Sequence, residues 1–168
     1  PANIMIIQPT LEMSQDFSKS RLSKMIADTK VLTPLFYGSK DVADTRNSNQ
    51  TILSKFYVGG RIVLAGANSP AGLASRPIRI LLCDEVDRFP PSASSEGDPL
   101  SIASKRTSTY WNRKIVMCST PTVKDVSRID LEYALGTQEH WAHACPNCGE
   151  YHTIEHTEID EQCRWCCP

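Results

Sequence analysis

Short apolar runs separated by turn-forming residues set the plan of this chain. Ile4-Met5-Ile6-Ile7 is β-rich and closes on Gln8-Pro9-Thr10, where the proline ends the strand and holds its predecessor away from helix. A helix is predicted to follow at once. Thr10 is a capping residue type, Glu12 falls in the first turn, and Leu11, Leu22, Met25 and Ile26 share one face at about 100° per residue. Strand, turn and helix make half of a βαβ unit. From Thr29 to Asn49 the periodicity weakens, and Asp41 to Gln50 reads as a polar surface loop. Thr51–Val58 and Arg61–Ala65 read as strands of a hairpin joined by Gly59-Gly60, because glycine tolerates the positive φ of a tight turn.

The most informative run is Ile78-Arg79-Ile80-Leu81-Leu82-Cys83-Asp84-Glu85. A continuous apolar strand bounded by turn-formers reads as buried on both faces, as strands of parallel sheets are. It ends in two adjacent acids at its carboxyl edge, where open α/β sheets bind their ligands. This is the pattern of a Walker B element: Asp84 would hold Mg²⁺ on nucleotide phosphates, and Glu85 would orient and polarise the attacking water. The plainer alternative is a strand exit into an acidic surface loop. The small-residue stretch Gly66 to Leu73 reads as a flexible connector rather than a phosphate cradle, since the chain contains no G-x-x-x-x-G-K-[ST]. Pro90 to Asp98 is a loop and Pro99 to Thr107 a short helix. Lys114–Cys118 reads as another buried strand, followed by Ser119-Thr120-Pro121-Thr122. Hydroxyls at such a strand end either bond a phosphate, a water or a neighbouring acid, or simply cap the next turn.

After Gly136 the composition changes, with His, Cys, Trp and acids replacing aliphatic residues, so the expected division is 1–135 and 136–168. Cys145-Pro-Asn-Cys148-Gly149 and Cys163-Arg-Trp-Cys166 form paired C-x₂-C knuckles with 14 residues between them. That spacing predicts a zinc-ribbon-like module in which Cys145, Cys148, Cys163 and Cys166 close a structural tetrahedron and leave no position for a catalytic water. Cys167 is a competing ligand, and His143, His152 and His156 are substitutes. Metal-ligand spacing, with Cys83 and Cys118 inside apolar strands, favours a reducing cytosol over a disulfide framework.

The net charge of -1 excludes a global basic field, so any nucleic-acid contact has to come from a local patch. No stretch is long and apolar enough for a membrane span.

In their order along the chain, Ile6-Ile7-Gln8-Pro9-Thr10, Gly72-Leu73, Leu81-Leu82-Cys83-Asp84-Glu85-Val86-Asp87, Cys118-Ser119-Thr120-Pro121-Thr122 and Cys145-Pro-x-Cys148-Gly149 resemble the large terminase subunit of tailed bacteriophages, in its lambda-like branch. The resemblance implies a partial RecA-like P-loop NTPase fold of the ASCE type, with a mostly parallel sheet, followed by the zinc module. It implies ATP and Mg²⁺ as cofactors beside structural Zn²⁺. It also implies an ATPase motor that moves double-stranded viral DNA into a procapsid, as a homo-oligomeric ring with the terminase small subunit and the portal, in the bacterial host cytoplasm. Glu85 and Asp84 would be catalytic, Asp84 would bind Mg²⁺, and Ser119 and Thr120 would form the coupling motif that senses the γ-phosphate. The phosphate-binding strand is expected ahead of Pro1 and an endonuclease domain after Pro168, so the fragment alone is expected to be inactive. Arg76, Arg79, Arg88 and Arg106 are candidate arginine fingers. A helicase-type ATPase fragment and a non-enzymatic, zinc-stapled nucleic-acid-binding module are the alternatives.

Overall fold

The structure, a computed structural model, describes residues 2–37, 50–154, 158–162, 164 and 165. Cys163, Cys166, Cys167, His156 and most of the polar stretch after Asp41 lie outside the described residues. The chain forms two compact units, Pro1–Asp130 and Leu131–Pro168.

The first unit is a 5-stranded sheet in the order β2-β3-β1-β4-β5. Its strands are β1 (Ile4–Gln8), β2 (Ser54–Tyr57), β3 (Gly60–Gly66), β4 (Ile80–Asp84) and β5 (Lys114–Cys118). β3, β1, β4 and β5 pair in parallel, and only β2 runs antiparallel, through the Gly59-Gly60 hairpin. Mostly parallel pairing is what near-continuous apolar strands such as Ile80-Leu81-Leu82-Cys83 require, because both faces must be covered. Gly59 takes the positive φ, 92°, whereas Gly60 matters for a close approach: a Cβ there would sit 2.4 Å from the Ala2 carbonyl oxygen.

Two apolar layers cover the sheet. On one face Met5, Ile7, Leu81 and Cys83 pack with Leu73, Val86, Phe89 and Ala103, under α4 (Pro70–Ala74) and α5 (Pro99–Lys105). On the other, Ile6, Ile62 and Leu64 pack with Leu22, Ile26 and Phe36 from α1 (Leu11–Phe17), α2 (Ser23–Asp28), α3 (Thr33–Tyr37) and the turn between α1 and α2.

Several expectations shift. The first helix is broken by a π-helical turn at Ser18–Leu22, which adds a residue to the turn and rotates the apolar face. Leu22 and Ile26 are buried, as expected, while Leu11, on the other side of that turn, and Met25 are exposed. The supposed connector from Gly66 to Leu73 contains α4, and Gly66 itself is forced by packing, since a Cβ would meet the Leu11 backbone nitrogen at 2.4 Å. Lys114–Cys118 is a strand, as expected, but not a buried one: alternate residues are exposed along its whole length.

In the second unit, the end of α6 (Arg128–Leu135) leads to a small antiparallel pair, β6 (His143–Ala144) and β7 (Tyr151–His152).

Candidate nucleotide-hydrolysis site

Asp84 is the last residue of β4, and its carboxylate is held from the strands on both sides. Gln8, the last residue of β1 and buried, donates from Nε2 to Asp84 Oδ2 at 2.8 Å. Cys118, its register partner on β5, donates from Sγ to Oδ1 at 3.2 Å. Burial of the sulfur, then its bond to this carboxylate, raises the Cys118 pKa and keeps a proton on the thiol. Cys83 behind it is pushed up to about 12, by burial and then by the neighbouring Cys118. Neither cysteine is a nucleophile at neutral pH. A carboxylate aimed by two neutral donors keeps free lone pairs for a hard cation.

Glu85 leaves the strand in the left-handed region, at φ 56° and ψ 49°. That conformation costs a non-glycine residue about 1 kcal/mol or more and gathers at functional sites. The bend turns the chain into a short 3₁₀ turn, Val86–Arg88, and sets Glu85 Oε2 3.3 Å from Arg88 Nε. The pair has ion-pair distance without hydrogen-bond geometry, so Oε2 is buried and retains acceptor capacity. Of the candidate fingers, Arg88 is thus tied to the acid of its own chain, while Arg76, Arg79 and Arg106 sit around the amino ends of β4 and β5, across the sheet from the acids.

Ser119 is brought to the acid loop through Asp87: the Asp87 N–H donates to Ser119 Oγ at 3.2 Å. Thr120 makes no side-chain hydrogen bond among the described residues. The organising group is instead the Asp87 carboxylate. It accepts from the Thr122 N–H at 2.9 Å, from Thr122 Oγ1 at 3.1 Å and from the Ile129 N–H at 2.9 Å. Desolvation raises its pKa, but the bonds from Ile129, Ser127 and Thr122 outweigh that and lower it to about 2. Asp87 therefore ties the β4 exit to the β5 exit and caps the first turn of α6. Asp87 and Gln8 hold this arrangement together, and pattern reasoning left both without a role. A polar residue closing an otherwise apolar strand beside the acid strand was the available signal for Gln8.

Two clefts meet at this rim. One of about 350 Å³ is lined by Gln8, Asp16, Ser20, Arg21, Asp84 and Glu85. The other, about 260 Å³ and almost wholly apolar, runs along Ile6, Phe17, Leu82 and Val116 to Cys118.

Over residues 1–168 the chain matches the family described as phage terminase large subunit gpA, ATPase domain. The chain belongs to that family. It is 27% identical over 153 residues to the terminase large subunit of Enterobacteria phage P21, covering 88% of this chain but only 23% of that protein. The fold is similar to the large terminase ATPase domain of Thermus phage P74-26, in its unsubstituted form and in a mutant. Each match has a TM-score of 0.52 and 16% identity and covers 91% of this chain and 60% of the other. Both resemble the present chain in fold. The mostly parallel α/β sheet is the feature shared with that ATPase domain.

In the second unit, Cys145 and Cys148 lie on one tight turn, with the Gly149 N–H bonded to the Cys145 carbonyl at 2.8 Å and Gly149 at φ 79°. Cys148 Sγ lies 3.9 Å from His152 Nε2. Among the described residues no cluster of three or more metal-ligating side chains is present, and Cys163 and Cys166 fall outside them. No helix among the described residues is long and apolar enough to cross a membrane.

Proposed function

We propose that this chain is the catalytic-acid half of a Mg²⁺-dependent ATPase that drives viral double-stranded DNA into a procapsid. The observation that carries this reading is the Asp84-Glu85 pair at the carboxyl rim of a parallel sheet, with Asp84 oriented by Gln8 and Cys118 and Glu85 held in a left-handed bend. Magnesium-bound ATP, when present, supplies the phosphoryl group that is transferred to water. Asp84 would hold the metal; Glu85 would orient the attacking water and accept its proton. Ser119 and Thr120 would report the state of the phosphate, with Asp87 as the mechanical tie between their loop and the acids.

The phosphate grip has to come from another segment. Two features support a strand, loop and helix added beside β5: the open edge of that strand, and the apolar cleft over Leu82, Val116 and Phe17 that a helix would cover. Packaging into a procapsid, a ring assembly with portal and small subunit, action in the host cytoplasm and a separate endonuclease domain are carried over from the terminase family as part of this proposal. In a chain that includes the phosphate loop, Asp84→Asn is expected to raise the Mg²⁺ concentration for half-maximal hydrolysis about tenfold or more. An unchanged Mg²⁺ requirement would overturn the role of Asp84.

Residues 136–168 are proposed to fold around one zinc ion held by Cys145, Cys148, Cys163 and Cys166. The C-x₂-C spacing of the first knuckle and its glycine turn fit half of such a site. Elemental analysis is expected to find about one zinc per chain, lost on Cys148→Ser; a metal-free protein would refute the ribbon.

A further inference from the structure

The net charge of -1 conceals a separation of charge between the two rims of the sheet. The carboxyl rim and its loops carry Asp84, Glu85, Asp87, Glu96 and Asp98, with Arg88 and Arg128 already paired to Glu85 and Asp98. The amino rim, where β3, β4 and β5 begin and α4 and α5 end, carries Arg61, Arg76, Arg79, Lys105, Arg106 and Lys114. Topology produces this arrangement: residues that open parallel strands share one edge, and the helices returning antiparallel to them finish there.

We propose that this amino rim is a binding surface for the phosphate backbone of duplex DNA. An open cavity of about 520 Å³ is lined by Ser75, Arg76, Lys105, Arg106, Ser108 and Thr109, so cationic groups are interleaved with hydroxyl donors. This is a donor-rich chemistry suited to phosphodiester oxygens. The cations stand on a stiff frame. The Ile78 N–H donates to the Arg106 carbonyl at 2.9 Å, the Arg79 N–H to the Asn3 carbonyl at 3.0 Å, and the Lys114 N–H to the Arg79 carbonyl at 2.9 Å. The ion pairs among the described residues, Arg88–Glu85, Arg128–Asp98 and Arg164–Asp160, leave the rim cations out. Arg79 Nε and Arg106 Nε are buried with no acceptor among the described residues.

Cations near helix ends have a simpler role, complementing the dipoles of α4 and α5. That role explains Lys105 in the last turn of α5, but it requires neither a donor-lined cavity nor guanidinium nitrogens buried without acceptors. Arg61 is also held close to Arg76: burial, then the charge of Arg76, lowers its pKa. Like charges that no ion pair among the described residues balances are what a polyanion site stores in its empty state. That the polyanion is duplex DNA rests on the packaging reading above; the cationic cavity does not.

The test is fluorescence anisotropy of a labelled duplex of about 20 base pairs with the 168-residue chain, without nucleotide, across a salt series. The triple variant Arg76→Gln, Lys105→Gln, Arg106→Gln is expected to raise Kd about tenfold or more and to flatten the log–log salt slope by about 2 to 3, at about 0.9 for each phosphate no longer neutralised. Arg76→Lys with Arg106→Lys should keep the slope, and Lys19→Gln with Lys124→Gln, the latter in the segment after the carboxyl end of β5, should leave it unchanged. Should the triple variant lose its folded circular dichroism, the exposed pair Lys105→Gln and Lys114→Gln replaces it, with an expected slope change of about 2.

Equal affinity and slope for parent and rim variant would overturn the proposal while leaving DNA binding elsewhere intact. An equal loss in the Lys19 and Lys124 control would also overturn it, by making the effect one of net charge. Binding of inorganic pyrophosphate at the cavity, in a chain with no affinity for the duplex, would overturn it too, by making this a free-phosphate site. None of these outcomes bears on Asp84 and Glu85, whose test is hydrolysis.

Discussion

Strands β4 and β5 are neighbours in one parallel register, yet they are buried very differently. Leu81 and Cys83 of β4 are 0% and 2% exposed, whereas Val116 of β5 is 41% exposed and both ends of that strand lie open. β4 has a strand on each side; β5 has one, β4, among the described residues. Both are apolar, so composition does not account for the contrast. A hydrophobic edge strand with an apolar cleft beside it is a surface that proteins normally cover. Among the described residues Asp84 is therefore held from two sides while β5 is flanked on one, and its other side is where the proposed phosphate-binding segment would dock.

The largest effect is expected in the covered strand. Leu81→Ala removes a fully buried side chain from the central layer and should lower the unfolding free energy by about 3 kcal/mol in a urea titration. A loss under about 1 kcal/mol would mean that β4 is not the packed centre.

Next is the tie between the two strands. Asp87→Ala should cost about 1 to 2 kcal/mol at neutral pH through the lost cap and bonds to Thr122 and Ile129. The folded state holds the Asp87 pKa at about 2, below the ordinary 3.8. Its contribution is therefore complete above pH 3.8 and fades as pH falls toward 2, and the stability gap between parent and Asp87→Asn should close across that interval. A gap independent of pH there would show that the carboxylate charge is not what the loop binds.

The smallest effect belongs to the open strand. Val116→Ala should change stability by less than about 0.5 kcal/mol in this chain, and by about 1 kcal/mol or more in a longer chain whose added strand covers β5. Equal costs in both would mean that no added segment packs on β5.

The sheet was legible because apolar runs of strand length with punctuating Gly and Pro have few other readings, and Lys114–Cys118 was placed to the residue. Its burial was not legible, since an apolar sequence says what a strand tolerates and not which neighbours it has. The helix face after Thr10 was legible at Leu22 and Ile26 but not at Leu11, because the π turn between them changes the period without any sequence mark. Asp84 and Glu85 stood out as charge at the end of an apolar run. Gln8, Cys118 and Asp87 did not, because their roles come from register across strands far apart in sequence. The paired knuckles gave the zinc proposal from spacing alone, and the described residues extend it only to the geometry of Cys145 and Cys148.

The decisive experiment is ATP turnover by Glu85→Gln, with ATP affinity measured on the same protein, in a chain that carries the phosphate loop. The expected result is turnover lower by about 100-fold or more with affinity nearly unchanged, because the carboxylate acts on the attacking water and not on the bound nucleotide. Turnover within about twofold of the parent would contradict the assignment of Glu85, and with it the reading of this rim as a site of hydrolysis.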